Sequence, residues 1–467
     1  MSSIKTRYIG TKAFYLSVVA LIIPMVVQQG ITQFVNLLDN VMVGRLGTIP
    51  MSGVAIVNQI VFIFNLTIFG GMSGASIFGA QYYGKRDFEG LRYTLRFRLY
   101  FALGFSVVGI GVLYFFGEGF FRLFLHSGAA TAQEIGETLA HANSYMLVTL
   151  WGLLPFAVAS CFSSLLRETG ETVIPMVASI ISIFVNLVLN YLLIFGSLGF
   201  PKMGVAGAAL ATVIARYVEM FYLLVECFRH KKRFPFFQGA FKSLGVPLPL
   251  VRRITITGMP LMLNEGLWSV GMSMIQACYA TRGLGAVAAG NINGTAFNLF
   301  SLIMMSMGNA VSIMVGQQLG ANEIERAKDT TRKLIAFSVA VNVVMGGLFM
   351  ASAPFIPYIY NTEPAVRQLA TQLLLLSGGF LPFSSFVHCA YFTIRSGGRT
   401  FITFLFDCVF TWVVCLPLAW VLSYHTGLSL PWMVFFVHCA DNVLKGVIAG
   451  MMLKSGIWAK NVVNAAG

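Results

Sequence analysis

AFYLSVVALIIPMVVQQGITQFVNLLDNVMVG, residues Ala13 to Gly44, decides the fold class. A helix rising about 1.5 Å per residue over this run exceeds a hydrocarbon core of about 30 Å. The run carries Pro24 near its middle and one carboxylate, Asp39, near its far end. A charged side chain at membrane depth costs about 3 kcal/mol or more, so a cation or proton is expected to offset it. Gln28, Gln29, Thr32, Gln33, Asn36, Asp39 and Asn40 include partners four and seven apart, which a helix gathers on one face. That face, with Gln33 and Asn36 on it, is expected to line a wet cavity, and Pro24, which removes a backbone hydrogen bond, is expected to bend the helix.

The rest of the chain extends the theme. Its 467 residues are 57% hydrophobic and 10% charged, with a mean hydropathy of +0.78, which excludes a soluble protein of ordinary composition. Apolar runs recur at 13–44, 52–82, 93–117, 138–166, 172–197, 204–228, 254–281, 287–319, 330–357, 367–394, 400–424 and 429–453. The expected fold is an all-α membrane protein of twelve transmembrane helices. The first run is too long, and too polar at its far end, for a cleaved signal peptide. The net charge of +14 does not indicate nucleic acid, because the basic residues segregate. With the N-terminus inside, 24 Lys and Arg fall on the inner loops and ends, Lys5, Arg7 and the RHKKR run at 229–233 among them, against five outside. Both termini are therefore expected in the cytoplasm of a multi-pass protein of the cell (inner or plasma) membrane. The seven cysteines form no CxxC pair and read as apolar packers.

The chain also repeats itself. VAIVNQIVFIFNLTIFGGMSGASIFGAQYYGKRDFEGLRYTLR, shifted by 236 positions, pairs with the run ending NAVSIMVGQQLGANEIERAKDTTR: Phe64 with Phe300, Ser76 with Ser312, Gln81 with Gln317, Gly84 with Gly320 and Arg96 with Arg332. LLPFAVASCFSSLLRETGET echoes FLPFSSFVHCAYFTIRSGGRT at a similar shift. Such a duplication predicts two six-helix lobes the same way up, with substrate held between them in alternating access. The expected division is an N-terminal lobe 1–228, a cytoplasmic linker 229–253 and a C-terminal lobe 254–467.

VNLLDNVMVGRLG closing helix 1, GAQYYGKRD and GQQLGANE at the exits of helices 2 and 8, and NLVLNYLLIFG followed by GVAGAALATVIA across helices 5 and 6 resemble the MATE (multidrug and toxic compound extrusion) family, its DinF-like bacterial branch best of all. The resemblance covers the whole chain. It implies a secondary-active exporter of small organic, cationic compounds.

Depth arithmetic selects the site residues without that resemblance. Asp39 lies 26 residues past the inner start of helix 1, Asn186 and Asn190 lie 14 and 18 past that of helix 5, and Thr212 lies 8 past the outer start of helix 6. All four can share the outer half of the bilayer, where one carboxylate with amide and hydroxyl oxygens suits a proton or sodium. In the resembled family the matching positions form a cation site, and the helix 1 proline marks where that helix bends on protonation of the aspartate. Many relatives carry a second aspartate where this chain has Asn190, and the lone carboxylate suits protonation. In the C-terminal half, Glu265 should lie near mid-membrane, and Asp407 and His388 reach one depth, where they can share a proton. Some branches of the family use a helix 7 glutamate with a helix 10 aspartate, and this helix 10 has none. Asp441 with Lys445, and Arg216 with Glu219, sit at helical spacing and read as structural pairs.

No GxxxxGK[ST] loop and no HExxH appears, so neither ATP-driven transport nor zinc hydrolysis is expected. The reading is a monomeric, non-enzymatic cation antiporter without a cofactor beyond its coupling ion, proton or sodium. The alternative is a lipid-linked precursor flippase of the same superfamily, whose strongly cationic cavity contrasts with the acidic residues found here at membrane depth. One substitution tests the ion argument: Asn190→Asp should shift the ion dependence of export toward sodium, read as the ratio of sodium-driven to proton-driven drug efflux, and an unchanged ratio would remove the argument.

Overall fold

The computed structural model describes residues 8–124, 132–230 and 232–464, so Lys5, Arg7 and Lys231 of the basic set lie outside the described residues. Twelve helical elements follow: α1 Lys12–Gly44, α2 Thr48–Gly84, α3 Phe88–Phe124, α4 Ala132–Glu168, α5 Val173–Phe195, α6 Val205–Arg229, α7 Leu248–Ala280, α8 with arms Leu284–Phe300 and Leu302–Gly320, α9 Ile324–Ser352, α10 Pro364–Ser396, α11 Thr400–Tyr424 and α12 Leu430–Ser455. Only helices satisfy every backbone group within one segment in hydrocarbon, which is why an apolar chain of this length takes this form.

Several elements depart from the apolar runs, α3, α7 and α8 among them. Helix α3 begins at Phe88 and α7 at Leu248, earlier than 93 and 254, because the helices continue through charged turns such as Glu89 to Arg92 that hydropathy excludes. Helix α8 is not one straight span: its arms meet at 47° about the buried Ser301, whose hydroxyl bonds back to the Asn298 carbonyl and competes with the helical ladder. Among the described residues ten helices are long and apolar enough to span a membrane, and α8 makes eleven if its arms form one span. The twelfth, α7, is long enough at 33 residues but carries Asn264, Glu265 and Gln276, and it falls outside that apolar set.

The chain forms two compact units. One comprises Val27–Ser76 and Phe88–Arg252, the other the residues up to Val26 with Ile77–Asp87 and Arg253–Gly467. The division runs within α1, two residues past Pro24, and within α2. In the first unit, Val57 and Ile68 of α2, Ala102 of α3, Leu153 of α4, Ile194 of α5 and Ala209 of α6 share a core. Gly207 allows α6 to approach α5, since a Cβ there would meet the Leu193 carbonyl oxygen at 2.6 Å. The segment joining α6 to α7 is packed onto this unit: Arg96 donates to the Ala240 and Gly245 carbonyls at 2.8 and 2.9 Å, and Phe237 stacks on Phe162. In the second unit, Val18 and Met25 of α1 pack with Val311 of α8, Leu334 of α9, Tyr391 of α10 and Ala449 of α12. Six of the seven cysteines are buried in such packing.

The sequence repeat is visible as backbone geometry in the second unit. A Cβ on Gly84 would meet the Gln317 carbonyl oxygen at 1.8 Å, and one on Gly320 would meet that of Gln81 at 1.9 Å. These are the residues that the 236-position shift equates, and they exchange contacts reciprocally. Beyond them Arg86 and Asn322, also equated, both hold positive φ, 61° and 64°. Each is followed by a matching bond, Asp87 to the Tyr82 carbonyl and Glu323 to that of Gln318, both 2.9 Å. The chain end closes the same region. The Gln81 side chain donates through Nε2 to the carbonyls of Ser396 and Lys460, and its Oε1 accepts from the Val462 amide at 2.7 Å.

Gly84→Ala and Gly320→Ala should each lower stability by about 2 kcal/mol, the usual cost of overpacking. Thermal unfolding in detergent checks this, with Gly379→Ala, whose Cβ meets nothing within 4 Å, as the unaffected control.

Candidate functional site

In the unit holding α2 to α6, polar residues of three helices converge. Asp39 of α1 accepts from Asn190 Nδ2 of α5 at 2.7 Å. Asn190 is 2% exposed and Asn186, one turn before it, 7%. Turning the Asn186 amide satisfies its neighbours better: its nitrogen then faces the two Asp39 oxygens at 3.1 and 3.2 Å, and its oxygen accepts from Thr212 Oγ1 of α6 at 3.2 Å. Amide orientation is assigned from such networks. In either orientation Asp39, Asn186, Asn190 and Thr212 form one cluster, and Asn190 Oδ1 is buried with no hydrogen-bond partner among the described residues. No ion pair reaches Asp39 among those residues, so neutral amides alone hold this carboxylate.

Asp39, Asn190 and Thr212 face a cavity of about 410 Å³ lined also by Asn36 and Asn40 of α1, Asn58, Phe62 and Asn65 of α2, Tyr145, Thr149 and Phe156 of α4, and Arg216 of α6. Tyr145 Oη donates to Asn58 Oδ1 at 3.2 Å. Arg216 lies over the Phe156 ring, its Cζ 4.6 Å from the centroid. Gln33 was expected on the same wall but is exposed and not part of the lining. It lies about one helical turn before Asn36, the first α1 residue on that wall, and so falls past the end of the cavity. Asn58, Asn65, Tyr145 and Thr149 were not singled out from sequence. Their spacings, seven apart on α2 and four apart on α4, carried the signal, since each pair shares a helix face. Pro24 is buried, and α1 runs unbroken through it.

The second unit holds its acids differently. Asp407 Oδ1 pairs with Lys445 Nζ at 2.7 Å, and Lys445, 3% exposed, also reaches Asp441 at 3.1 Å. Asn264 donates to the other Asp407 oxygen at 3.0 Å and to Tyr391 Oη at 3.3 Å, and Tyr391 is also hydrogen-bonded to Glu265. Asp407 and Asp441 each lie in a widened π turn, Leu405–Val409 of α11 and Cys439–Leu444 of α12, a feature frequent at functional sites. The pairing of Asp407 with His388 is not realised, because Lys445 and Asn264 take the carboxylate. His388 instead bonds the Met305 backbone and packs on Phe392, and its Nε2 is buried without a partner among the described residues. Lys445 is likewise not a private partner of Asp441. The structure thus joins Glu265 and Asp407 through Asn264 and Tyr391, and leaves His388 outside that network.

A model of the MatE family matches residues 24–192 and 260–421. A protein of Thermotoga maritima named as a probable multidrug resistance protein NorM is 24% identical over 448 residues, 95% of this chain and 93% of that protein. One of Bacillus subtilis named as a probable multidrug resistance protein YoeA is 26% identical over 416 residues, 88% and 87% of the two chains. Among solved structures, one titled a MATE crystal structure in the bent conformation superposes with a TM-score of 0.83 at 21% identity, covering 96% of this chain and 98% of that one. An outward-facing multidrug resistance MATE family transporter gives 0.83 at 20% identity, over 96% and 99%. The likeness extends over both sequence halves, and with its matched residues covering most of the chain, this protein belongs to the MatE family, a family of multi-span helical membrane transporters.

Proposed function

We propose that this protein exports small organic compounds by secondary-active antiport, drawing on a proton that binds Asp39, with sodium as the alternative ion. The observation that carries the reading is a carboxylate on an apolar helix of membrane-spanning length, held among the described residues only by neutral amides, beside a cavity of about 410 Å³. A lone carboxylate there costs about 3 kcal/mol or more in hydrocarbon unless a cation or proton offsets it. Asp407 makes the contrast, since Lys445 already neutralises it. The names of the relatives in Thermotoga maritima and Bacillus subtilis support multidrug export.

Sodium finds oxygen donors in the same cluster, including the unpartnered Asn190 Oδ1, but only one formal charge. That composition favours the proton. The Asp39 carboxylate with the rings of Phe62 and Tyr145 on the same wall suits an organic cation. The basic loops support a cell-membrane protein with both termini in the cytoplasm, and one chain supplies every residue of the cluster, so a monomer suffices. Coupling requires the ion and the compound to bind the two access states unequally. Pro24 supplies a point in α1 where the ladder lacks one bond, and the compact units divide two residues beyond it. Protonation of Asp39 is proposed to act on α1 through that point.

In a drug-sensitive bacterial host at equal expression, Asp39→Asn should raise ethidium accumulation to the level of cells lacking the transporter, with the protein still folded, because the change removes only an unpaired charge. Acidifying the medium should accelerate wild-type efflux and leave the variant unchanged. Retained efflux in Asp39→Asn would overturn the coupling role.

A further inference from the structure

The lining of the Asp39 cavity ends at Arg216 on α6. One turn further along that helix, Glu219 has a side chain only 15% exposed, and its two oxygens have different partners. Oε2 lies 3.5 Å from Arg216, a long ion pair to a guanidinium that also covers the Phe156 ring. Oε1 accepts from Ser179 Oγ of α5 at 2.9 Å, and that hydroxyl accepts from Gln28 Nε2 of α1 at 2.6 Å. Gln28 Oε1 in turn accepts from Arg167 of α4 at 3.3 Å.

These residues repeat the arrangement around Asp39 on the same three helices. From Thr212 to Glu219 is seven residues forward on α6, from Asn186 to Ser179 seven back on α5, and from Asp39 to Gln28 eleven back on α1. Successive spans run in opposite directions, so all three steps point the same way, by about 10 to 16 Å along the helices. The lobe therefore holds two polar layers, each with one carboxylate, and with both termini inside the second lies on the cytoplasmic side of the first. The helical spacing of Arg216 and Glu219 suggested a self-contained pair, but Glu219 is the hub of contacts from α5 and α6 that lead on to α1 and α4.

We propose that Glu219 is a second proton-carrying group of this lobe, taking up the proton released by Asp39 and passing it to water on the Arg167 side. The inference rests on the proton-antiport reading of Asp39. The proton leaves the Asp39 carboxyl to cavity water, Asp39 returns to carboxylate, and Glu219 becomes the acid and then releases the same proton inward, so charge balances at each step. The groups facing Glu219 are few. Arg216 stands on its own helix, Arg167 acts on it from α4, and α1 and α5 present the neutral Gln28 and Ser179.

The test separates net transport from exchange in proteoliposomes holding ethidium. Glu219→Gln should slow proton-driven efflux by about a hundredfold, the typical contribution of a positioned proton-transfer group. Ethidium exchange across the membrane at equal pH, which needs no net proton release, should stay within about twofold of wild type, and Glu219→Asp should restore part of the driven rate. Ser179→Ala gives a second measurement if Glu219→Gln does not fold: driven efflux falls and exchange does not. Wild-type driven efflux in Glu219→Gln, alongside an inert Asp39→Asn, would overturn this inference and leave the antiport reading standing. Equal loss of exchange and driven efflux without rescue by Asp would assign Glu219 a structural role only. A wild-type protein indifferent to the proton gradient would overturn both.

Discussion

A carboxylate in hydrocarbon must be neutralised by something, and the two units of this protein meet that demand in opposite ways. In one, Lys445 lies between Asp407 and Asp441, so the charges are balanced within the chain. Such a pair is a fixture, because removing one partner would leave a buried charge at a cost of about 3 to 5 kcal/mol. In the other, Asp39 is met, among the described residues, only by amide groups of α5. Amides orient and solvate a charge but do not cancel it, which leaves Asp39 open to an ion from outside the chain. The polar cavity, the amide pair on one face of α5 and the layer around Glu219 lie in the same unit as that unbalanced charge.

Close helix contact supports this arrangement. Lipid tails are as apolar as leucine, so helices in a bilayer associate by packing and by small residues that let backbones approach. Gly207 brings α6 against α5, which holds Thr212 within reach of Asn186. Gly84 and Gly320 do the same for the ends of α2 and α8, and Gln81 ties that crossing to the chain end. The widened turns of α11 and α12 carry Asp407 and Asp441, and Lys445 reaches both.

Much of this is legible in the sequence alone. Hydropathy gave the helices, and the 236-position repeat named Gly84, Gln317, Gly320 and Gln81, the residues that meet in space. Depth counting brought together Asp39, Asn186, Asn190 and Thr212, because a regular rise along each helix is enough to compare heights. Rotation about the helix axis and neighbour choice were harder to read. Gln33 lies one turn before Asn36, just outside the cavity wall, and His388 lies near the depth of Asp407 but loses that carboxylate to Lys445, 38 residues away in sequence. Ser301 breaks α8 without a proline to announce it, and the link from Glu219 to Ser179 crosses between helices, where spacing within one helix gives no signal.

The central claim is that Asp39 couples a proton to export, and efflux of ethidium from proteoliposomes tests it most directly, with a proton gradient and a sodium gradient applied in separate runs to wild type and to Asp39→Asn. The account predicts efflux on the proton gradient alone, absent in the variant. Sodium-driven efflux that survives the substitution would contradict it and move coupling to the Glu265 and Asp407 network, and efflux on neither gradient would contradict antiport itself.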